Sequence, residues 1–153
     1  MLAIHYGKDP WTDRWIDYCS INKIEHIKVN IYDSNIISQL KEKHISALLA
    51  QPILTDYKTS IIARSILYSI EEMGIKTFPN FDAFWHYNDK LSQKYLFESL
   101  DIPHAPMYVF YSRKEAYNWI SRAKFPMVFK LRGGASASNV LLLKSKNDAQ
   151  RYI

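Results

Sequence analysis

The stretch FPMVFKLRGGASASNV, residues 125–140, governs how the rest of the chain can be interpreted. It predicts one β-strand over 127–131 and a second over 140–143, because both runs are apolar and rich in strand-forming residues. Small residues leave backbone N–H groups free to surround an anion, and serines add hydroxyl donors. The loop between the strands has this character, so it is a candidate phosphate-binding loop; its residues are Gly133, Gly134, Ala135, Ser136, Ala137 and Ser138.

Lys130 interrupts the apolar run just before this loop. A lysine in a strand either reaches solvent or meets a negative charge, so an ordinary exposed hairpin remains an alternative interpretation. No Gly-Lys-Ser or Gly-Lys-Thr follows the glycines, and a strand rather than a helix comes after them. These two features argue against a P-loop and against a dinucleotide-binding fingerprint.

The composition predicts a folded protein, and its basic excess suits an anionic ligand. The chain has 153 residues, 48% of them hydrophobic and 14% aromatic, with a net charge of +5. Its basic residues are scattered, which argues against a nucleic-acid-binding arm and is also typical of a solvated surface. With a single cysteine, Cys19, and neither a signal peptide nor a membrane-spanning run, we expect a cytoplasmic protein without membrane contact. The dispersed histidines predict no metal site.

The first half predicts alternating strands and helices. The clearest helix covers 58–73, where isoleucines recur every three to four residues and Gly74 marks the end. Four short apolar strands are expected, at 2–6, 26–32, 47–49 and 75–78. This alternation predicts βαβ units in a parallel, Rossmann-like sheet.

An aromatic stripe lies on the first predicted helix. Trp11, Trp15 and Tyr18 follow one another at helical spacing, and Ile16 joins them. Such a stripe favours packing in the core, and the alternative is a platform on which a ring stacks.

The second half is expected to begin after an aromatic linker over 81–88. Asn88 or Asp89 is predicted to cap a helix in which Tyr95 faces inward and Lys90 stands in the first turn. The helix dipole disfavours a cation at that end. Lys90 is therefore a candidate for reaching towards an anion, and an ordinary exposed lysine is the alternative.

Two further elements are expected before and after the hairpin. A strand over 107–111 leads into a helix whose start is marked by Ser112 and Glu115, which form a capping box. After the hairpin, another helix is still continuing at Ile153. A chain that ends in this way is typical of part of a longer protein, so we expect a fragment.

From about residue 74 onward, the order of these pieces resembles the start of an ATP-grasp domain. Asp89-Lys90 opens a helix, residues 100–106 are similar to the family's Gly-Ile-Pro-x-Pro turn, and residues 125–130 are similar to its Phe-Pro-Val-Val-Lys-Pro strand. Asp101 stands where the family usually has glycine. The resemblance implies an α/β fold with two domains: a Rossmann-like pre-ATP-grasp lobe over 1–80, and the first α+β subdomain of the ATP-grasp domain, truncated, over 81–153.

The resemblance also implies a function, that of an ATP-dependent carboxylate–amine or carboxylate–thiol ligase of the glutathione-synthetase or ribosomal-protein-modification type. Such enzymes act through an acylphosphate. Lys90 and Lys130 would hold phosphate oxygens of ATP, and residues 133–138 would close over the β- and γ-phosphates. Arg132 would be either a further phosphate contact or, as we slightly favour, a plain loop arginine.

The same resemblance implies ATP and Mg²⁺ as cofactors, with the metal ligands expected beyond residue 153. The full-length protein would be an active enzyme, whereas this chain alone would be inactive. Its partners would be ATP and a small carboxylate substrate, with a homodimer as a possible assembly.

Two other classes of function stay open. In a non-catalytic α/β interaction domain, the lysines would be solvated and the loop would be a hairpin tip. A nucleotide-sugar or phosphosugar-binding enzyme would instead bind its ligand near Gly7 or Gln51-Pro52, at the C-terminal ends of the first strands.

Overall fold

A computed structural model of the chain describes residues 1–7, 10–52, 57–133 and 139–153. The chain forms two compact units, Met1–Tyr87 and Asn88–Ile153. Helices and strands are present in both units, so the predicted α/β class is confirmed. The compact units are defined by packing, and the division of the chain into functional domains at residue 80 stays a prediction.

The first unit is built on a parallel sheet. Its strands are β1 (Leu2–His5), β2 (His26–Val29), β3 (Ala47–Leu49) and β4 (Lys76–Phe78). They lie in the order β2-β1-β3-β4, and Ala3 is paired with Ile27 on one side and with Leu48 on the other. Parallel strands need crossover connections. The helices that supply them are α1 (Pro10–Ile21), α2 (Ile36–Glu42) and α3 (Tyr57–Glu72). The predicted Rossmann-like sheet is therefore confirmed.

Both faces of this sheet are covered, because side chains alternate along each strand. Ala3 of β1 belongs to an apolar cluster with Leu40 of α2 and Leu67 of α3, all of them buried. The next residue, Ile4, packs on the opposite face against Ile16 of α1. The sheet is thus a middle layer, with α1 on one side and the other two helices on the other.

The aromatic stripe on α1 is largely outside the core. Trp11 and Tyr18 are 58% and 63% exposed, whereas Thr12, Ile16 and Cys19 are buried. The buried face of the helix is therefore offset by one residue from the stripe, because α1 turns its smaller side chains towards the sheet. The expected burial is wrong at Trp11 and Tyr18, and it is confirmed at Ile16 and Cys19.

The segment after β4 is not a simple linker. It begins with a short helix, α4 (Phe81–Phe84), whose N-cap Asn80 accepts a hydrogen bond from the main chain. Phe84 is buried, and the ring of Phe81 lies edge-on to that of Tyr68 in α3, at 5.2 Å between centroids. The expectation of a linker is wrong here because these aromatic side chains pack on the first unit.

The second unit contains an antiparallel hairpin and three helices among its described residues. These elements are α5 (Lys90–Ser99), α6 (Arg113–Ile120), β5 (Met127–Lys130), β6 (Val140–Leu143) and α7 (Lys146–Gln150). Strand β5 is paired with β6, so the predicted hairpin is confirmed. Residues 107–111 form no strand with any described part of the chain, and that expectation is wrong. Their apolar content favours a strand, but a strand also needs a neighbour to pair with.

The hairpin has two unlike faces. On the inner face, Phe129 packs against a core that includes Leu143 and, from α6, Ile120. On the outer face, Val128 and its cross-strand partner Leu142 are 56% and 59% exposed. The outer face of the hairpin is therefore apolar and open in the described part of the chain.

The two longer helices of this unit begin and pack differently. At α6 the predicted Ser112 cap is present, since the Ser112 hydroxyl accepts from the N–H of Glu115. The Glu115 carboxylate accepts from the N–H of Tyr111, one residue before the position that a capping box requires. Helix α5 has no fully buried side chain. Tyr95, expected to face inward, is 45% exposed and hydrogen-bonds Tyr111 between their hydroxyls at 2.7 Å. That expectation is wrong because Tyr95 lies on an exposed part of α5.

Candidate functional site

The site is built around the first turn of α5, where Asp89 is the N-cap. Its Oδ1 accepts hydrogen bonds from the backbone N–H of Leu91 at 3.0 Å and of Ser92 at 3.1 Å. These bonds satisfy donors that the first turn of a helix leaves without an intrahelical partner. Of the two caps expected from the sequence, Asp89 is the one that the structure uses.

Arg132 binds the same carboxylate. Its Nε lies 3.1 Å from both carboxylate oxygens of Asp89, and its Nη2 lies 2.9 Å from Oδ2. The Asp89 side chain is fully buried, while that of Arg132 is 48% exposed. We call this bidentate contact of Nε and Nη2 with the carboxylate the fork. Such a contact is stronger and more directional than a neutral hydrogen bond. Arg132 is therefore an ion-pair partner, a role that neither expectation for this residue included.

The main chain joins the same two segments. The N–H of Lys90 donates to the carbonyl oxygen of Arg132 at 2.9 Å, and Asp89 forms an isolated antiparallel bridge with Gly133. We call these main-chain contacts, together with the Asp89–Arg132 ion pair, the clamp. The clamp holds the start of α5 beside the chain that leaves β5.

The clamp keeps Asp89 ionised. Burial raises the pKa of this carboxyl group, but hydrogen bonds from Arg132 and Ser92, with the positive charge of Arg132, outweigh burial and hold the pKa at about 2. Asp89 is therefore negatively charged at neutral pH, and Arg132 offsets that charge.

Three of the predicted site residues lie at or near the clamp. Lys90 is the first residue of α5, is half-buried, and places its Nζ 3.4 Å from Oδ1 of Asn88. Lys130 is the last residue of β5 and is exposed, two positions before Arg132. Gly133 belongs to the clamp itself. The other five predicted loop residues lie outside the described residues: Gly134, Ala135, Ser136, Ala137 and Ser138.

Asn139 joins the two ends of the predicted loop. Its side-chain N–H donates to the carbonyl oxygen of Gly133 at 3.2 Å, and its own carbonyl oxygen accepts from the N–H of Leu131 at 3.2 Å. Sequence reasoning missed this residue and the pairing of Arg132. An asparagine directly before a strand is a signal for such a turn contact, because its amide hydrogen-bonds nearby main chain.

The chain is similar to solved structures, although sequence comparisons find no relative. No protein-family model matches the chain, and comparison with curated proteins finds no match. The biotin carboxylase domain of 2-oxoglutarate carboxylase from Hydrogenobacter thermophilus, solved with MgADP, ADP and bicarbonate, is similar at 13% identity and a TM-score of 0.72. An ATP-grasp RimK domain protein from Sphaerobacter thermophilus is similar at 13% identity and a TM-score of 0.65. N5-carboxyaminoimidazole ribonucleotide synthetase from Thermotoga maritima is similar at 18% identity and a TM-score of 0.67.

The chain has the fold of ATP-grasp proteins. Each comparison covers 99% of this chain, and the three cover 39%, 56% and 43% of the solved chains, respectively. The chain thus spans between two fifths and just over half of the length of these ATP-grasp structures. The expectation of an ATP-grasp fold, drawn from the motifs around Asp89-Lys90 and residues 125–130, is confirmed.

Two kinds of feature are absent from the described residues. These residues contain no helix with the length and apolar content needed to cross a bilayer. They also contain no group of three or more His, Cys, Asp or Glu side chains arranged to hold a metal ion.

Proposed function

We propose that this chain supplies the ATP phosphate-binding part of an ATP-dependent carboxylate–amine or carboxylate–thiol ligase. The observation that carries the proposal is the hydrogen bond between the Lys90 N–H and the Arg132 carbonyl oxygen, at 2.9 Å. This bond holds a helix that begins with one lysine beside a chain segment that carries a second, Lys130. On this proposal, residues 1–80 act as the pre-ATP-grasp lobe and residues 81–153 as the first ATP-grasp subdomain.

The chemistry of ATP fits two lysines on separate segments. The polyphosphate carries several negative charges, and phosphoryl transfer needs those charges offset by preorganised cations. Lys130 would bind phosphate oxygens from the strand, and Lys90 would bind them from the helix start. The predicted loop from Gly133 to Ser138 would cover the β- and γ-phosphates and exclude water.

The outer face of the hairpin offers a surface for the base. Val128 and Leu142 lie on this face with Lys130 and Val140, because directly paired residues share a face of a sheet. The apolar members are exposed by 56%, 59% and 37% for Val128, Leu142 and Val140. An aromatic base covering them would leave its phosphates towards the lysine at the end of β5. The similar biotin carboxylase domain was solved with ADP, which supports a nucleotide here.

The proposed reaction activates a small carboxylate. A carboxylate oxygen attacks the γ-phosphorus, a new O–P bond forms, and the bond to the β–γ bridging oxygen breaks, which yields an acylphosphate and ADP. An amine or thiol then attacks the acyl carbon, and inorganic phosphate leaves. Lys90 and Lys130 would offset negative charge on the phosphates during the first step. The setting we propose is the cytoplasm, and the dimeric state of the similar biotin carboxylase domain supports a homodimer.

The described residues do not fit Mg²⁺. They include no cluster of metal-ligating side chains, and the carboxylate of Asp89 is already occupied by Arg132 and two backbone N–H groups. We therefore derive no step through the metal from this chain.

The proposal is tested by titrating ATP with Mg²⁺ into the intact protein. This protein includes any sequence encoded after Ile153. We expect binding, and we expect Lys130→Ala to weaken it by about tenfold or more, since one charge-assisted contact is lost. Lys146→Ala is the matched control, because Lys146 is an exposed lysine at the start of α7 in the same unit. If Lys130→Ala binds ATP as well as the wild type does, the lysine is not a phosphate ligand and a non-catalytic interaction domain becomes the better account.

A further inference from the structure

We propose that Asp89 and Arg132 form a positioning pair, which sets Lys90 in place for the ATP phosphates without touching them. The inference rests on the proposed function, because it concerns the same lysines. It assigns to Arg132 an effect on ATP that is transmitted through Asp89 and the start of α5.

The contacts of Asp89 leave it little capacity for another partner. Its carboxylate accepts from two backbone N–H groups of α5 and from Nε and Nη2 of Arg132. A carboxylate that is fully buried needs such partners, since an unpaired buried charge is strongly unfavourable. Asp89 therefore serves the start of the helix and the ion pair at the same time.

The position of the pair in the chain links it to both lysines. Asp89 directly precedes Lys90, and Arg132 follows Lys130 by two residues, roughly 7 Å along an extended strand. The fork therefore fixes the distance between a helix start and a strand end that each carry one lysine. The bond from the Lys90 N–H to the Arg132 carbonyl oxygen adds a second constraint on the same distance.

The charges of the pair distinguish positioning from direct binding. Asp89 and Arg132 cancel each other, so the pair adds no net charge to the two lysines. Replacing Asp89 with asparagine keeps an N-cap acceptor but releases the guanidinium from its carboxylate. If Arg132 bound phosphate itself, this release would strengthen ATP binding. If the pair positions Lys90, the release weakens ATP binding.

The experiment measures dissociation constants for ATP with Mg²⁺ and for adenosine, on the intact protein and its variants. We expect Asp89→Asn and Arg132→Gln each to weaken ATP binding by about tenfold and to leave adenosine binding unchanged. We expect the double variant to be no weaker than the weaker single variant, because both remove one interaction. Arg132→Lys, which keeps the charge but not the fork, should give an intermediate loss and remains informative if Arg132→Gln fails to fold.

Glu98→Gln is the matched control. It removes another ion pair of α5, in which Lys94 lies 2.6 Å from Glu98, and it should leave both affinities unchanged.

Each contrary result has its own meaning. Tighter ATP binding by Asp89→Asn would overturn positioning in favour of direct phosphate contact by Arg132. Equal losses for ATP and adenosine would overturn it in favour of a general role in folding. Wild-type affinity in both single variants would overturn this inference alone, whereas a wild-type protein that binds no ATP would overturn the proposed function and the inference with it.

Discussion

The first unit of the molecule and the start of α5 in the second unit are stabilised by different interactions. In the first unit, fully buried apolar side chains such as Leu48, Leu67 and Ile70 fill the space between sheet and helices. In the second unit, helix α5 has no fully buried side chain, and a fully buried carboxylate, Asp89, holds its start. A close-packed apolar core is destabilised when a buried side chain loses volume. The strength of the clamp instead depends on the charges of its two side chains and on the geometry of their hydrogen bonds. Stability should therefore be most sensitive in the first unit, and ligand binding in the second.

The largest stability effect is expected in the core of the first unit. Leu67→Ala should lower the free energy of unfolding by about 3 kcal/mol, because it removes buried methyl groups and leaves a cavity. Chemical denaturation measures this change. Ile62→Ala on the same helix is the control; Ile62 is 40% exposed, so its replacement should cost less than about 1 kcal/mol. Equal losses in the two variants would show that α3 does not derive its stability from its buried face.

A smaller loss is expected when the clamp is broken in the second unit. Asp89→Ala removes both the N-cap of α5 and the acceptor of Arg132, and should lower the free energy of unfolding by about 2 kcal/mol. The half-exposed guanidinium can then turn to water, which limits the loss. Asp82→Ala, at an exposed carboxylate in the first turn of α4, should change stability by less than about 0.5 kcal/mol. A clamp that contributed nothing would make the two variants alike.

Acid should weaken the same clamp. The pKa of Asp89 is about 2 in the folded chain against a usual value of 3.8, so the unfolded chain takes up the proton first as the pH falls. The contribution, about 2 kcal/mol, is fully present above pH 3.8 and is lost as the pH falls through about 2. The difference in unfolding free energy between the wild type and Asp89→Asn, followed from pH 6 to pH 2, should shrink over that window. A difference independent of pH would contradict the ionised pair.

The smallest effect is expected at a cap that does not take part in the clamp. Ser112→Ala should lower the free energy of unfolding by about 1 kcal/mol, because the N–H of Glu115 loses its acceptor. ATP affinity should be unchanged, and the contrast with Asp89→Asn would sharpen the distinction between a cap that only stabilises and one that also positions. Reduced ATP affinity in Ser112→Ala would mean that stability alone accounts for both variants.

Local sequence patterns predicted those elements whose signals lie within a few residues. Helix α3 ends where Gly74 has φ +79°, and α6 begins at the Ser112 cap, as expected. Two expectations failed for a common reason. Residues 107–111 have strand composition but pair with no strand in the described part of the chain. Trp11 and Tyr18 on α1 have helical spacing but lie on an exposed face of the helix. Pairing and burial depend on what lies opposite in space, which periodicity does not report.

By itself, the sequence determined the alternating strands and helices of the first unit as far as β4, the hairpin with Lys130 before its loop, and the helix that begins with Lys90. Only the tertiary structure decided that Arg132 binds Asp89, a residue 43 positions away. Caps, turns and amphipathic faces are formed by neighbours in the chain, so their signals are local. An ion pair between distant residues forms only where packing brings a buried carboxylate and a guanidinium together, and no short stretch of sequence specifies that meeting.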